Sequence, residues 1–155
     1  MTRIREEVTI RAPSGEVWNA VHVDLDNLPR WAGYVKRAQA LDGRPGKNWR
    51  VRYELALPGG FTGGLILLHT EWDPPRRCAG RFDGGPLRGD WSYTYSEQAG
   101  ATDLVYEMDY QLTGVLRFAG GMLKNQYAEG IRQAMDSLKR YLEEGRRRPA
   151  AKISQ

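Results

Sequence analysis

The sequence predicts an α+β fold in which one long carboxyl-terminal helix lies across an antiparallel sheet. Between Gly121 and Glu144, apolar residues recur every three or four positions, which places them on one face of a helix roughly 36 Å long. Upstream, between Val8 and Leu112, several segments alternate apolar and polar residues with the period of two that indicates strands. Because almost no other segment predicts a long helix, the sheet is the apolar partner that this helix requires.

The first strand is predicted from Arg3 to Arg11, and its apolar face contains one acidic residue, Glu6. A carboxyl group that is desolvated on such a face has a raised pKa. Glu6 is therefore a candidate acid or base. The alternative is that it lies near the frayed start of the strand, where its carboxylate reaches water.

Two short helices are predicted after this strand. Ala12-Pro13 ends the strand, and proline suits the first turn of a helix. The inward residues of the first helix are Val17, Trp18 and Val21, and those of the second are Leu25, Leu28 and Trp31. His22 is expected on the surface of the first helix.

Further strands are predicted over residues 34–41, 49–57, 61–72, 77–82, 90–96 and 103–112. The strand over 61–72 is apolar on both faces, so its register is not evident from the pattern. Its Gly63-Gly64 pair predicts a bulge or a sharp bend. The glycine-containing segment 114–120 connects the last strand to the long helix, and whether it acts as a gate is left open.

The inward face of these strands is unusually rich in tyrosine, which predicts a cavity. A buried tyrosine hydroxyl without a hydrogen-bond partner costs ~1 to 3 kcal/mol, so several are more easily placed around water or an amphipathic ligand than in a dry core. The alternative is that the tyrosines lie at strand ends and reach bulk water. The candidate ligand-binding residues are Trp49, Tyr53, Trp91, Tyr93, Tyr95, Tyr106, Met108, Tyr110, Leu123, Tyr127 and Ile131.

Candidates for proton transfer are few. His69 and Glu71 are two positions apart on a predicted strand, so their side chains would share a face and form an acid–base pair if that face is inward. The alternative is that both are solvated on the outer face. Cys78 has no histidine at a spacing typical of a nucleophile and its base. The two histidines and one cysteine show no metal-ligand spacing, and no nucleotide-binding motif is present, so no metal and no cofactor are expected.

The composition predicts one domain over residues 1–144 and a basic, disordered tail over 145–155. The tail contains Arg146, Arg147, Arg148 and Lys152, which account for the whole net charge of +4. Nucleic-acid binding by the folded body is therefore not indicated, although the tail could contact an anionic surface weakly. With one cysteine and neither a signal sequence nor a transmembrane segment evident, the expected compartment is the cytoplasm. The pattern does not indicate an oligomeric state.

Several short motifs in a fixed order resemble the START-like, or SRPBCC, superfamily, most closely its polyketide cyclase/dehydrase and lipid-transport branch. The resemblance covers about residues 4 to 144 and implies a helix-grip fold, with a curved seven-stranded sheet around the long helix and a hydrophobic cavity between them. One stretch also resembles coenzyme Q-binding proteins and ribosome-association toxins. The motifs are Ala12-Pro13 with Val17-Trp18, Leu28-Pro29-x-Trp31, Glu71-x-Asp73-Pro74-Pro75-Arg76, Gly85-Pro86-Leu87-x-Gly89-x-Trp91, Thr102-x-Leu104 and Leu138-Lys139-x-Tyr141-Leu142-Glu143.

Three functions are consistent with the sequence. The first is binding of a hydrophobic, oxygen-bearing small molecule that is polyketide-, quinone- or lipid-like. The second is a cofactor-independent cyclase or dehydratase, for which the tyrosines would supply hydrogen bonds while the proton carrier is not identified. The third is a regulator directed at ribosomes or other proteins, which rests on the toxin-like stretch and the basic tail.

Overall fold

The seven strands form one antiparallel sheet. The second to seventh strands lie side by side in the order in which they occur in the chain, and the first strand pairs with the seventh. The computed structural model of the chain describes residues 2–56 and 62–147. The spatial order of the seven strands is β1-β7-β6-β5-β4-β3-β2. They are β1 (Thr2–Ile10), β2 (Val35–Asp42), β3 (Arg50–Ala56), β4 (Thr62–Asp73), β5 (Arg77–Phe82), β6 (Leu87–Gln98) and β7 (Ala101–Leu112). The predicted α+β helix-grip fold is confirmed.

Two short helical segments separate β1 from β2, as predicted. Helix α1 (Ser14–Trp18) runs directly into a π-helical turn, Asn19–Val23, and a 3₁₀ helix follows over Leu25–Arg30. The prediction for His22 is wrong, because its side chain is only 4% exposed and is covered by aromatic rings from α1 and the sheet. The π-helical turn directs this residue toward the sheet.

The long helix α2 (Gly120–Arg147) follows a short 3₁₀ helix, Gly114–Ala119. Its buried stripe contains Ile131, Ala134, Met135 and Leu138, and it packs mainly against β1. None of the helices in the described part of the chain combines the length and apolarity needed to span a bilayer.

Helix α2 continues past its predicted end at Glu144. Gly145 lies inside the helix, and Arg146 in the next position donates a hydrogen bond of 2.6 Å to Glu16 of α1. This ion pair anchors an additional turn, which the cations near the helix end also favour. The remainder of the predicted tail, residues 148–155, lies outside the described residues, as does the predicted turn at 58–60.

Strand β4 contains a bulge at Thr70, so His69 and Glu71 do not share a face, and both the inward acid–base pair and the shared outer face are wrong. His69 pairs with Gly80 and Glu71 with the adjacent Ala79, so Thr70 is the extra residue. The alternation is therefore shifted, and His69 is buried while Glu71 is exposed. Of the bulge or sharp bend predicted at Gly63-Gly64, the bulge is wrong for the pairing with β3, because β3 and β4 pair there without a shift.

Candidate functional site

A cavity of about 330 Å³ lies between the sheet and α2. Strand alternation directs leucine, phenylalanine and tyrosine side chains from β3 to β7 toward the helix, and one face of α2 closes the space. Such a volume falls at the lower end of the range typical of small-molecule sites, roughly 300 to 1,000 Å³. The lining residues are Tyr34, Tyr53, Leu55, Ala56, Leu65, Leu67, Phe82, Leu87, Tyr93, Tyr106, Met108, Gln126, Tyr127, Gly130 and Ile131.

The structure places the eleven candidate ligand-binding residues in two groups. Six of them line the cavity: Tyr53, Tyr93, Tyr106, Met108, Tyr127 and Ile131. The other five lie elsewhere: Trp49, Trp91, Tyr95, Tyr110 and Leu123. The alternating pattern predicts which face a residue occupies, but the cavity extends along only part of that face.

The five residues outside the cavity pack into the core. Trp49 and Trp91 flank His69, with ring centroids 5.2 and 5.1 Å from its imidazole. The Tyr95 hydroxyl lies 2.7 Å from Nε2 of His22. Tyr110 packs edge-on against Tyr127 at 5.9 Å, and Leu123 is partly buried against the core.

Tyr34 is a lining residue that the sequence did not indicate. It directly precedes β2, and its carbonyl accepts a hydrogen bond from the N–H of Ala56 at the end of β3. This bond brings Tyr34 to the cavity from the edge of the sheet. Its only sequence signal is its place at the start of a predicted strand, and β2 alternates too weakly to assign its direction.

The cavity tyrosines are neutral hydrogen-bond donors. Burial raises the pKa of Tyr34 to about 12, and it also raises the pKa values of Tyr53, Tyr93 and Tyr106. Their phenols therefore keep their protons across the physiological pH range. The Tyr106 hydroxyl donates to the sulfur of Met108 at 3.2 Å, and thioether sulfur is a weak acceptor that a ligand oxygen can replace.

The three acid–base candidates do not line the cavity. Glu6 lies on the inner face of β1 but is not at a frayed end, because the guanidinium of Arg132 on α2 donates to both its oxygens at 3.0 and 3.2 Å. Glu71 pairs with Arg77 at 3.1 Å on the outer face. His69 donates from Nδ1 to the Trp49 carbonyl at 2.9 Å, and burial lowers its pKa.

His69 lies beside two residues whose proximity to it the sequence did not predict. His22, His69 and Cys78 are all buried and can present ligand atoms within 4.8 Å of one another. They come from the π-helical turn, β4 and β5, so no local spacing could predict their proximity. The expectation of no metal site rested on such spacing.

Comparisons with known proteins agree with the geometry. Residues 1–143 match the family described as polyketide cyclase / dehydrase and lipid transport. No curated protein shows significant similarity to the sequence.

Three solved structures show the same fold at low identity. A protein from Thermus thermophilus is 22% identical with a TM-score of 0.73, over 89% of this chain and 94% of that one. A START superfamily protein from Mycobacterium smegmatis is 15% identical with a TM-score of 0.62, over 88% and 98%. The ginseng major latex-like protein 151 from Panax ginseng is 9% identical with a TM-score of 0.71, over 90% and 96%. At these identities the similarity establishes the fold and not a ligand.

Proposed function

Since the chain belongs to the polyketide cyclase / dehydrase and lipid transport family, we propose that it binds a hydrophobic, oxygen-bearing small molecule in the cavity beneath α2. The expected ligand is polyketide-, quinone- or lipid-like. The observation that carries this proposal is an apolar cavity of about 330 Å³ that five tyrosines line.

The size of the cavity supports an occupant. At roughly 24 cal/mol per Å³, a dry cavity of this volume would cost about 8 kcal/mol, comparable to the whole stability of a typical domain. Water is a poor substitute, because the walls are largely leucine, phenylalanine and the faces of tyrosine rings. A ligand with an apolar body would displace that water favourably, and its oxygens would accept hydrogen bonds from Tyr34, Tyr53, Tyr93 or Tyr106.

Binding is favoured over cyclase or dehydratase activity by the protonation chemistry of the walls. Among the described residues, the cavity lining contains no carboxylate and no imidazole. Its tyrosines have raised pKa values and cannot accept a proton near neutral pH. They can orient a carbonyl group or stabilise an enolate, but no lining group is suited to abstract the proton that begins an aldol closure.

The experiment is mass spectrometry of small molecules released by denaturation of the protein purified from its native host. We expect a stoichiometric amphipathic molecule. Gly130 offers a variant that blocks the site, because it lies three residues after Tyr127 on the lining face of α2, and a Cβ there would meet no other atom within 4 Å. Gly130→Phe should fill the cavity and abolish co-purification.

Gly130→Ala is the matched control. It adds one carbon, leaves most of the cavity open, and should stabilise the helix by about 1 kcal/mol. The Ala variant should retain the molecule. If the Phe variant retains it equally, or if the wild-type protein carries none and binds no molecule of these classes when they are added, the proposal fails.

A further inference from the structure

The two histidines and the one cysteine of the chain meet at a single buried point. His22 is 4% exposed, His69 is 4% exposed and Cys78 is fully buried. The ring of the cavity residue Tyr93 lies 4.8 Å from that of His22, so the cluster adjoins the cavity without lining it. Nothing in the proposed function uses these groups.

Each imidazole has an outer hydrogen-bond partner that orients the ring. A carbonyl oxygen only accepts, so Nδ1 of His69 carries its proton toward Trp49 and leaves Nε2 with a free lone pair. His22 contacts the Tyr95 hydroxyl through Nε2, which leaves Nδ1 as its other nitrogen. An outer partner on the second ring nitrogen is typical of histidines that bind metals, where it fixes the tautomer and the ring plane.

We propose that His22, His69 and Cys78 bind a borderline-soft divalent cation, with Zn²⁺ as the expected ion. Two imidazole nitrogens and one thiolate sulfur are a donor set that suits Zn²⁺ and is unsuited to Ca²⁺ or Mg²⁺, which prefer oxygen ligands. The ligand nitrogens would be Nδ1 of His22 and Nε2 of His69. Three protein ligands leave a fourth position for water or a ligand oxygen.

The geometry requires a modest contraction and the loss of one proton. With Zn–N near 2.0 to 2.1 Å and Zn–S near 2.3 Å, two nitrogens and one sulfur around a tetrahedral ion lie roughly 3.3 to 3.6 Å apart. The largest separation in the cluster, at most 4.8 Å, would therefore shorten by up to roughly 1.5 Å. Burial raises the pKa of Cys78 to about 12, so the thiol is protonated, and binding replaces its S–H bond by an S–Zn bond and releases one H⁺ to solvent.

The surroundings favour a tightly held ion over a solvated one. Aromatic rings enclose the two imidazoles at centroid distances between 4.6 and 6.1 Å. They come from Trp18, Trp49, Trp72 and Trp91. An apolar shell excludes competing water and strengthens the attraction between the cation and the thiolate.

The test uses the full chain after treatment with a chelator, titrated with Co²⁺ as a spectroscopic probe and then with Zn²⁺. We expect one Co²⁺ per chain and a sulfur-to-cobalt charge-transfer band that Zn²⁺ removes. Because Cys78 is the only cysteine, such a band in the wild-type protein identifies its thiolate as a ligand without any variant. Absence of the band in folded wild-type protein would overturn the proposal.

Variants test individual ligands. Cys78→Ser and His69→Gln should each lower Zn²⁺ affinity by more than roughly 100-fold. Loss of only a residue that hydrogen-bonds to a metal ligand lowers affinity by up to about 100-fold, and loss of the ligand itself should cost more. Met135→Leu, which removes a buried sulfur on α2, is the control and should leave the affinity unchanged. Circular dichroism confirms that each variant is folded. Zn²⁺ binding that is equally strong in the folded Ser and Gln variants would also overturn the proposal.

Discussion

At the residue scale, the hydroxyl groups of Tyr95 and Tyr110 differ in their hydrogen bonding. Both side chains are buried on the inner face of the sheet and both lie outside the cavity. The Tyr95 hydroxyl is bonded to buried His22, whereas that of Tyr110 has no hydrogen-bond partner among the described residues. The same one-atom deletion should therefore have opposite effects on stability.

We expect Tyr95→Phe to lower the free energy of unfolding by roughly 1 to 3 kcal/mol, because it leaves a buried nitrogen of His22 unsatisfied. Tyr110→Phe should raise it by up to about 1 kcal/mol, because a desolvated hydroxyl is removed. Urea denaturation of the metal-free proteins measures both. Changes of the same sign in the two variants would show that the two environments are equivalent.

Tyr106 allows the ligand to be separated from the fold. Within the described part of the chain its hydroxyl donates only to the sulfur of Met108, so Tyr106→Phe should change the stability of the empty protein by less than about 1 kcal/mol. If a ligand oxygen accepts this hydroxyl, its affinity should fall roughly 5- to 30-fold, as for the loss of one hydrogen bond of 1 to 2 kcal/mol. Calorimetric titration with the co-purifying molecule measures the change. An unchanged affinity would remove Tyr106 from the contacts.

At the scale of elements, Glu143 connects the carboxyl-terminal part of α2 to the end of β1. Its carboxylate accepts hydrogen bonds from Lys139 at 2.6 Å and from the backbone N–H of Arg11 at 2.9 Å. Lys139 also donates to the carbonyl of Thr9 at 2.9 Å. The Lys139 ammonium, followed by the Arg11 N–H, lowers the pKa of Glu143 below its ordinary value of 4.5.

A carboxylate whose pKa is lower in the folded than in the unfolded state stabilises the fold above its ordinary pKa, and this stabilisation is lost as the pH falls through the folded value. Glu143→Gln should therefore lower the free energy of unfolding at pH 7 by about 1 kcal/mol or less, since the ion pair is near the surface. The difference between wild type and variant should shrink below pH 4.5. Thermal unfolding across pH 3 to 7 measures it, and a constant difference would argue against the ionic contribution.

Elements with a strong period were predictable from the sequence, and their local interruptions were not. The apolar stripe from Leu123 to Leu142 indicates which face of the helix is buried, and the alternation around Tyr106 does the same for the sheet. For this reason the helix, the sheet and six lining residues could be predicted. The bulge at Thr70 inserts one residue without a sequence signal and reverses the direction of Glu71. The cluster of His22, His69 and Cys78 depends on where three elements cross, which no single segment encodes.

At the scale of the whole molecule, the packed part of the chain extends into the predicted tail, residues 145–155, because Arg146 is held by Glu16 of α1. Truncation after Arg147 retains this ion pair and removes two of the four excess positive charges, Arg148 and Lys152.

We expect the truncated protein to unfold with a free energy within about 0.5 kcal/mol of the full chain, as for changes away from packed structure. Its binding to vesicles of anionic lipid, or its association with ribosomes, should weaken if the tail makes such contacts. Denaturation and co-sedimentation measure the two properties. Unchanged co-sedimentation would remove the tail from any surface contact, and a large loss of stability would place the domain boundary further along the chain.

The order of the strands has a consequence for synthesis of the chain. Strands β2 to β7 pair with their neighbours in sequence, but β1 pairs with β7, so that Ile4 lies opposite Met108. The first of the seven strands to be synthesised is therefore the one that pairs with the last. Until β7 is made, β1 lacks the strand with which it pairs in the sheet, and its outer face carries the charges of Arg3, Arg5 and Glu7. We expect those charges to disfavour pairing of the nascent strand with another copy of the chain before the sheet closes.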